Sequence, residues 1–418
     1  MANIQVISKN ADAYALACKL ADEGHDVEFY IQEPKAKNTG KGKTNPRVVL
    51  HPSSARGFDL ILFDMVGLGS RAHSLDAGGR VVLGGGLLSD KLELDRPYGQ
   101  KVAGLTKVGI PKFEVCYNIV QGLQFIQRHP ETLWVFKPSH NATVGWTFVP
   151  KETNEGLASF MRHLSQKEFE FLLQEKIEGV EVSTEGWFNG EAFVCFNHTI
   201  ERKRLFPNDR GPNTGCMGNV VWSCKEDKLV KTILSPLTEF LGKARYVGPL
   251  DANTIVTKEG AWFLEWTARL GYDAIQALCE LLQGSLFDFL FGVATKTLIP
   301  VFKPDFSLAV RLSLAPYPQE TDCSVLKGLK VLDIPIEAFP HVWLSDVMWI
   351  ANEPYVAGVD GVLGCVTARG TDVRECRRRV YRTIDNITLV NDVQYRVDIG
   401  SHFEEKYTQL KDWGWLEA

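Results

Sequence analysis

The sequence predicts a multidomain protein of mixed α/β and α+β class, and its length and hydrophobic pattern both support this. The chain has 418 residues, which at roughly 100–200 residues per domain indicates two to four domains or subdomains. Short apolar segments alternate with amphipathic ones near the start, a pattern typical of a parallel sheet covered by helices. Apolar segments joined by tight turns dominate later, as in antiparallel hairpins.

Residues 1–95 are predicted to form an N-terminal parallel-sheet βαβ domain. An amphipathic helix over Ala11–Glu23 is closed by Gly24, and four buried strands are expected around it. These strands are Ile4–Ser8, His25–Ile31, Leu60–Asp64 and Arg80–Leu83.

Residues 96–302 form a second predicted domain, with residues 116–182 as its subdomain, and residues 303–418 form a small strand-rich C-terminal domain. A long helix over Lys228–Leu241 is expected to kink at Pro236, which lacks a backbone N–H. The last domain shows one clear helix, Asp372–Thr383. The other expected elements are helices at Pro97–Lys107, Ala274–Gly284 and Leu286–Thr297, and strands at Leu133–Lys137, Trp146–Val149, Phe169–Lys176, Glu181–Phe188, Glu191–Thr199, Gly248–Val256 and Ala261–Thr267.

The composition argues against several classes of protein. A net charge of −5 and a pI near 6.0 give no basis for a nucleic-acid or membrane surface. No apolar stretch reaches the ~18 residues of a membrane span, and the strand-like start predicts no signal peptide. The nine scattered cysteines form no Cys-x-x-Cys pair, so we expect reduced thiols in a cytoplasmic protein.

The segment Asn208–Gly218 is the most informative stretch for function. It contains three glycines and Pro212, a composition expected in a loop rather than in a helix or strand. Such a loop can aim several backbone N–H groups at an anion. A surface Ω-loop without a ligand has the same composition, so composition alone leaves both interpretations open.

A predicted hairpin carries two carboxylates, Asp251 on its first strand and Glu265 on its second. Both have apolar neighbours, and across one turn they can face each other. Paired carboxylates in an apolar setting repel unless a proton or cation bridges them, and Mg²⁺ shared with nucleotide phosphates is a natural bridge. Arg269 leaves the same strand end, where it can meet developing negative charge. A surface hairpin of alternating charge has the same pattern.

Lys137 and the segment after Gln174 are candidates for nucleotide binding. Lys137 ends an apolar strand before a glycine-containing loop, which suits a phosphate contact but equally suits an edge Lys with its head in water. Extended backbone after Gln174 can contact an adenine edge, and Glu181 a ribose hydroxyl. An exposed Glu on a strand has the same pattern.

In their order along the chain, these pieces resemble the ATP-grasp ligases, and more narrowly the phosphoribosylamine–glycine ligases. The specific part is the string Gly-Pro-Asn-Thr-Gly-Cys-Met-Gly at residues 211–218, which the family carries with Gly at the position of Cys216. Leu264–Gly271, Gly361–Ala368 and Tyr395–Gly400 are also similar to the family. The resemblance covers nearly the whole chain and implies an ATP-grasp fold with residues 116–182 as its ATP-lid subdomain.

The resemblance implies an ATP-dependent ligase that joins a carboxylate to an amine. ATP would phosphorylate an amino acid, glycine in the family, and an amine such as phosphoribosylamine would attack the acyl phosphate. The implied cofactors are ATP and Mg²⁺ (or Mn²⁺), and the implied partners are the small-molecule amino acid and amine, with the protein a monomer or homodimer. Phosphoryl transfer depends mainly on positioning and charge neutralisation, so no Ser-His or Cys-His pair is required.

The resemblance also implies residue roles. Arg269 would steady the charge of the acyl phosphate, and Glu265 would bind the metal, with Asp251 as a proposed second ligand. The implied catalytic residues are Arg269, Asp209, Asn213 and Gly215; the implied metal ligands are Glu265, Asp251 and Thr267; and the implied ATP contacts are Arg96, Lys137, Gly145, Glu175, Lys176, Ile177 and Glu181.

The chain departs from the family pattern at several loops. The N-terminal loop that helps hold a ribose phosphate in the family reads Asn10–Tyr14 here, without its glycines and Arg. The phosphate-covering loop at residues 143–146 lacks a Lys, and Thr267 replaces an Asn. These losses predict a divergent ligase with a changed amine acceptor, for example a modified nucleotide. A nucleotide-binding relative without catalysis is the alternative.

Overall fold

A computed structural model describes residues 1–139, 147–318, 323–331, 334–387 and 393–417. The N-terminal part consists of β1 (Asn3–Ser8), α1 (Tyr14–Asp22), β2 (Asp26–Ile31), β3 (Arg47–Val49), β4 (Leu60–Phe63), α2 (Gly69–Ala77), β5 (Val82–Leu83) and α3 (Leu87–Leu94). Its five strands form a parallel sheet in the order β3-β2-β1-β4-β5. All four residues of β4 are buried, as expected for a strand covered on both faces. The predicted parallel βαβ sheet is confirmed.

A small antiparallel unit follows, with a hydrophobic core of its own. Helix α4 (Arg96–Ala103) precedes this unit and packs in the main core. The elements of the unit are β6 (Phe113–Asn118), α5 (Ile119–Arg128), β7 (Trp134–Pro138), α6 (Glu155–His163) and β8 (Glu168–Glu175). The strand order is β6-β8-β7, and the rings of Phe136 and Phe171 pack 4.9 Å apart in the core. A strand from Trp146 to Val149 was expected beside β7. Trp146 lies outside the described residues, and Phe148 makes only an isolated bridge to Phe136.

The rest of the chain builds one large sheet with helices against it. Its first elements are β9 (Val180–Asn189), β10 (Phe193–Phe206), β11 (Arg210–Cys224), α7 (Lys228–Ile233), α8 (Thr238–Lys243), β12 (Val247–Val256), β13 (Ala261–Thr267), α9 (Ala274–Leu281), β14 (Leu282–Gln283), α10 (Leu286–Thr295), β15 (Val301–Phe302) and β16 (Phe306–Leu314). The later elements are β17 (Val342–Leu344), β18 (Val347–Ile350), β19 (Glu353–Val356), β20 (Val362–Gly370), α11 (Val373–Asn386), β21 (Val393–Gln394) and α12 (Phe403–Asp412). Short 3-10 helices lie at Pro34–Ala36, Ala55–Gly57, Ser235–Leu237, Cys323–Leu326 and Ile336–His341.

Nine strands of this region are antiparallel neighbours in the order β13-β12-β9-β10-β11-β16-β20-β17, with β21 also paired to β16. The strands after residue 303 therefore extend the sheet of the preceding region, since β16 pairs with β11. Two further pairs, β14 with β15 and β18 with β19, lie outside this sheet. No helix in the part of the chain that the structure describes has both the length and the apolar composition of a membrane span.

Three expectations about individual elements change. The segment Asn208–Gly218 is not a loop, because β11 begins at Arg210 and pairs with both β10 and β16. Its ladder is irregular, because the step of five positions from Asn213 to Gly218 is paired with a step of only two positions on β10. The predicted kink at Pro236 is a full break between α7 and α8. The C-terminal region contains a second helix, α12.

Candidate active site

A cavity of about 210 Å³ lies where α3, α4, β7 and β8 meet the β12–β13 hairpin. Five predicted site residues line it: Arg96, Lys137, Glu265, Thr267 and Arg269. A larger cavity, about 470 Å³, lies beside α11 and is lined by none of the predicted residues, so size alone does not identify the site.

Two polar atoms of the smaller cavity are buried and lack a hydrogen-bond partner among the described residues. They are Nε of Arg96 and Oε1 of Gln100, both on α4. Buried polar atoms are nearly always paired in native proteins. We infer that a polar ligand satisfies them.

Lys137 is placed in this cavity by β7, whose preceding residues Trp134, Val135 and Phe136 are buried in the core of the small antiparallel unit. Burial lowers the pKa of Lys137 to about 8, and the neighbouring charges of Arg96 and Lys203 act in the same direction. The negative charge of Glu265 partly opposes them. An anionic ligand here would meet a concentration of positive charge.

Glu265 is the carboxylate that lies close to these cations. Its Oε2 lies 3.8 Å from Nη1 of Arg96, and its Oε1 lies 4.0 Å from Nζ of Lys203. Burial by itself would raise the pKa of Glu265, but the charges of Lys203, Lys137 and Arg96 outweigh burial and lower the pKa. Glu265 is therefore an ionised carboxylate at neutral pH.

The register of the β12–β13 hairpin corrects the expected pairing of the two acids. Asp251 lies opposite Thr267, and Glu265 lies opposite Asn253. A bulge between Asn253 and Thr254 causes this offset, because it inserts one extra residue on β13. Without the bulge, Glu265 would point to the other face of the sheet. The bulge thus brings Glu265 to the same face of the sheet as Asp251 and Asn253. Glu265 lies directly across from Asn253 and diagonally across from Asp251.

Oxygen atoms on this face fit a hard metal ion. Oδ1 of Asp251 and Oδ1 of Asn253 are both buried without a hydrogen-bond partner among the described residues. Across the sheet, Asp251 lies opposite Glu185 of β9, and burial raises the pKa of Glu185 to about 7. Burial, and then Glu185, raises the pKa of Asp251 well above its usual range. A divalent cation would relieve this clustering of acids, and carboxylate and amide oxygens are the ligands Mg²⁺ accepts.

The predicted nucleotide residues join the same network through Lys203. Nζ of Lys203 lies 3.0 Å from Oε1 of Glu181, and the charge of Lys203 is the main cause of the lowered pKa of Glu181. Asn253 also donates a hydrogen bond to Glu181, at 3.2 Å. Glu181 is therefore held at one edge of the cluster that contains Glu265.

The segment predicted to contact adenine, Glu175 to Ile177, connects β8 to β9. The backbone N–H of Lys176 donates to the carbonyl oxygen of Leu133 at 2.8 Å, so this donor is used by the protein itself. The Nζ of Lys176 donates to the carbonyl oxygen of Lys151 at 3.0 Å. Gly145 and the predicted phosphate-covering loop at residues 143–146 lie outside the described residues.

Arg269 is fixed by Glu93 of α3. Its Nε donates to Oε1 of Glu93 at 3.0 Å, while the N–H of Ala268 donates to the other carboxylate oxygen at 2.9 Å. Nη1 of Arg269 donates to the carbonyl oxygen of Leu270 at 2.9 Å. These bonds hold the guanidinium at the mouth of the cavity in one orientation.

The structure does not bring all the predicted catalytic residues to this cavity. Asp209 lies in the turn before β11, where Arg202 at 2.7 Å and Arg396 at 2.8 Å bind its carboxylate. Asn213 is exposed on β11. Gly215 approaches a different group, because a Cβ at this position would lie 3.7 Å from Nη1 of Arg311. Asp209, Asn213 and Gly215 are absent from the residues that line the cavity with Lys137 and Glu265.

Comparison with known proteins decides the family. Residues 95–274 match the family described as phosphoribosylglycinamide synthetase, ATP-grasp (A) domain. The phosphoribosylamine–glycine ligase of Leifsonia xyli subsp. xyli is 25% identical over 423 residues, covering 95% of this chain and 99% of the relative. That of Corynebacterium ammoniagenes is 31% identical over 248 residues, covering 56% of each. Residues 95–274 therefore form an ATP-grasp domain, and the chain as a whole is similar to the phosphoribosylamine–glycine ligases.

Solved structures show that this ATP-grasp ligase has the predicted fold. The crystal structure of phosphoribosylamine–glycine ligase from Thermotoga maritima superposes with a TM-score of 0.71 at 19% identity, over 95% of this chain and 100% of that chain. N5-carboxyaminoimidazole ribonucleotide synthetase from the same organism superposes with a TM-score of 0.61 at 14% identity, over 93% of this chain and 99% of that one. The predicted ATP-grasp fold is confirmed, and so is the predicted resemblance to phosphoribosylamine–glycine ligase.

Sequence reasoning about this ATP-grasp ligase missed three residues of the cavity network. Asn253 shares a face with Asp251 at a spacing of two, a signal that the strand prediction already contained. Lys203 lies within the run Arg202–Arg204, which has the composition of an exposed strand edge. Glu93 carries no local signal, because it lies 176 residues from Arg269 in the sequence.

Proposed function

We propose that this chain is an ATP-dependent carboxylate–amine ligase that joins glycine, or a similar amino acid, to an amine such as phosphoribosylamine. The γ-phosphoryl group of ATP passes to the carboxylate, and the amine nitrogen then attacks the acyl carbon. The C–N bond forms as the C–O bond to phosphate breaks, with release of ADP, phosphate and the amine proton. One observation carries the proposal: Lys137, Arg96 and Arg269 line a single cavity together with the ionised Glu265.

The side chains of this cavity suit charge neutralisation rather than covalent catalysis. Lys137 and Arg96 would bind the phosphates of ATP, and the unpaired Nε of Arg96 offers a ready donor. Arg269, oriented by Glu93, would hold the charge that develops on the acyl phosphate. Because these cations stand in a partly buried site, each interacts with a phosphate more strongly than it would in water.

A divalent metal fits the acid-bearing face beside these cations. Glu265, Asp251 and Asn253 would hold Mg²⁺, and Thr267 lies opposite Asp251 in the hairpin. When bound, Mg²⁺ neutralises phosphate charge and orients the transferring group. Glu181 and the Glu175–Ile177 segment would lie on the nucleoside side of the same site.

The test is ADP formation by the purified full-length protein supplied with ATP, Mg²⁺, glycine and phosphoribosylamine, with mass spectrometry of the amide. We expect Glu265→Gln to lower turnover by about a hundredfold or more, because it removes a charged group that acts in phosphoryl transfer. Glu259→Gln, at the exposed turn of the same hairpin, is the matched control and should keep full activity. The proposal is refuted if the wild-type protein shows no ADP formation and also binds no nucleotide. ATP binding without ADP formation from any amine would favour the noncatalytic alternative.

A further inference from the structure

A second cavity, of about 70 Å³, lies between the N-terminal sheet and the C-terminal strands. It is lined by the loop Asn10–Asp12, by Tyr272 and Asp273, and by Asp346 and Asp360. We propose that this cavity binds the amine substrate through a second, positively charged ammonium group, so that the acceptor is a small diamine rather than a phosphorylated amine. This inference rests on the proposed ligase function and names its acceptor class.

Two backbone donors of the N-terminal loop are already occupied. The N–H of Ala13, just before α1, donates to Oδ2 of Asp64 at 3.0 Å, and the N–H of Ala11 donates to Oγ of Ser8 at 2.8 Å. Ser8 in turn donates to the same oxygen of Asp64 at 2.5 Å. A phosphate at the start of a helix needs such free N–H groups. Here the side chain of Asp64 takes that place, so the N–H of Ala13 is not available to a phosphate.

The charge of the cavity wall is predominantly negative. Asp12, Asp273, Asp346 and Asp360 line it, whereas Arg311 is the one basic side chain among its lining residues. The guanidinium of Arg311 donates to both carboxylate oxygens of Asp273, at 2.9 and 3.1 Å, and its charge is thereby compensated.

The three remaining carboxylates line the cavity without a salt bridge among the described residues. Asp346 instead accepts hydrogen bonds from the backbone N–H groups of Val359, Asp360 and Gly361, which fixes the loop that carries Asp360. Burial and the nearby charge of Asp360 raise the pKa of Asp12, while Arg269 and Arg311 act against this. A bound ammonium would relieve the repulsion between these acids.

Two neutral acceptors in the same wall also lack partners. Gln276 is 2% exposed, lines the cavity, and its Oε1 has no hydrogen-bond partner in the described part of the chain. The hydroxyl oxygen of Tyr272 is likewise buried and unpaired there. An ammonium group has three N–H donors and no acceptor, so it matches oxygens of this kind.

The size and position of the cavity also fit a ligand that carries an ammonium group. A cavity of about 70 Å³ has a third of the volume of the 210 Å³ candidate nucleotide cavity, so it suits an aminoalkyl group better than a ribose phosphate. Tyr272 follows Arg269 by three residues, which places the cavity next to the guanidinium expected to hold the acyl phosphate. The ammonium held by Asp12 and Asp360 would leave the other, neutral amine free to attack the acyl carbon, with its proton released to water.

Calorimetric titration of the full-length protein with 1,4-diaminobutane tests the binding step without ATP. We expect 1,4-diaminobutane to bind and 1-aminobutane, which lacks the second ammonium, to bind at least about tenfold more weakly, as loss of a charge-assisted hydrogen bond predicts. Asp12→Asn and Asp360→Asn should each weaken diamine binding by about tenfold, whereas Asp76→Asn on the exposed face of α2 should not. In the ligase assay, Asp12→Asn should raise KM for the diamine and leave KM for ATP unchanged.

The outcomes separate this inference from the ligase proposal. ADP formation with phosphoribosylamine but not with the diamine would overturn the inference and leave the ligase function standing. Equal binding of the monoamine, or complete displacement of the diamine by Mg²⁺ alone, would also overturn it. Diamine binding that depends on Asp12, without ADP formation from any amine, would support the binding site and refute the ligase function.

Discussion

The lowered pKa of Lys137 predicts that nucleotide binding depends on pH. Its pKa in the free protein is about 8, lowered from 10.5 mainly by burial. Below about pH 8 the ammonium is present before ATP arrives; above it, the free protein holds a neutral amine. A bound triphosphate favours the charged form and returns the pKa toward its usual value. Between about pH 8 and about pH 10, ATP binding should therefore take up a proton, and affinity should fall about tenfold per pH unit, or about 1.4 kcal/mol.

Isothermal titration calorimetry with a nonhydrolysable ATP analogue measures this directly. Titrations at about pH 7 and about pH 9 should differ by about tenfold in Kd, and buffers of different ionisation enthalpy report the proton taken up. Lys137→Arg keeps its charge throughout this range and should abolish the pH dependence. Lys137→Met should bind weakly at both pH values. Lys258→Met, at the exposed turn of the β12–β13 hairpin, is the control and should behave as the wild type.

Two results would refute this reasoning about Lys137. A pH-independent Kd in the wild type would mean that the ammonium does not contact the phosphates or that its pKa is not lowered. An unchanged slope in Lys137→Arg would assign the proton uptake to another group.

Two further predictions concern positioning and stability. Glu93→Gln should lower kcat by about tenfold or more and leave KM for ATP nearly unchanged, because Arg269 loses the carboxylate that orients it; a rise in KM alone would contradict this. Burial alone would lower the pKa of His198, but Cys224 and Asp227 raise it to about 10. The His198–Asp227 pair therefore stabilises the fold fully below about pH 6.5, and this contribution is lost as the pH rises through about 10. Asp227→Asn keeps an N-cap for α7 but should cost about 3–5 kcal/mol in urea unfolding near pH 6 and less near pH 10; an equal cost at both pH values would contradict the assignment.

Local pattern was sufficient for much of the fold. Alternating apolar and amphipathic segments predict the parallel sheet of residues 1–95, because its central strands β1 and β4 are buried on both faces. The string at residues 211–218 indicates the ATP-grasp family, which the comparisons confirm. Composition misjudged the conformation of the same string, because its strand is held between β10 and β16, and β16 lies far away in the sequence.

Part of the candidate site could likewise be predicted from the sequence, and part depends on the tertiary structure. Residue type and strand position made Lys137, Glu265 and Arg269 candidates, and the resemblance to the ATP-grasp ligases gave them roles in phosphoryl chemistry. The bulge that turns Glu265 toward Asn253 could not be predicted, because register depends on packing of the whole sheet.

The sequence by itself indicated the resemblance to the ATP-grasp ligases, most of the order of the elements and the main charged residues that line the candidate cavity. Only the tertiary structure decided which groups surround the predicted residues: Glu93 against Arg269, and Asp64 against the N–H of Ala13 at the start of α1. The physical reason is that a charged side chain acts through its neighbours in space, and here those neighbours lie 51 and 176 residues away along the chain.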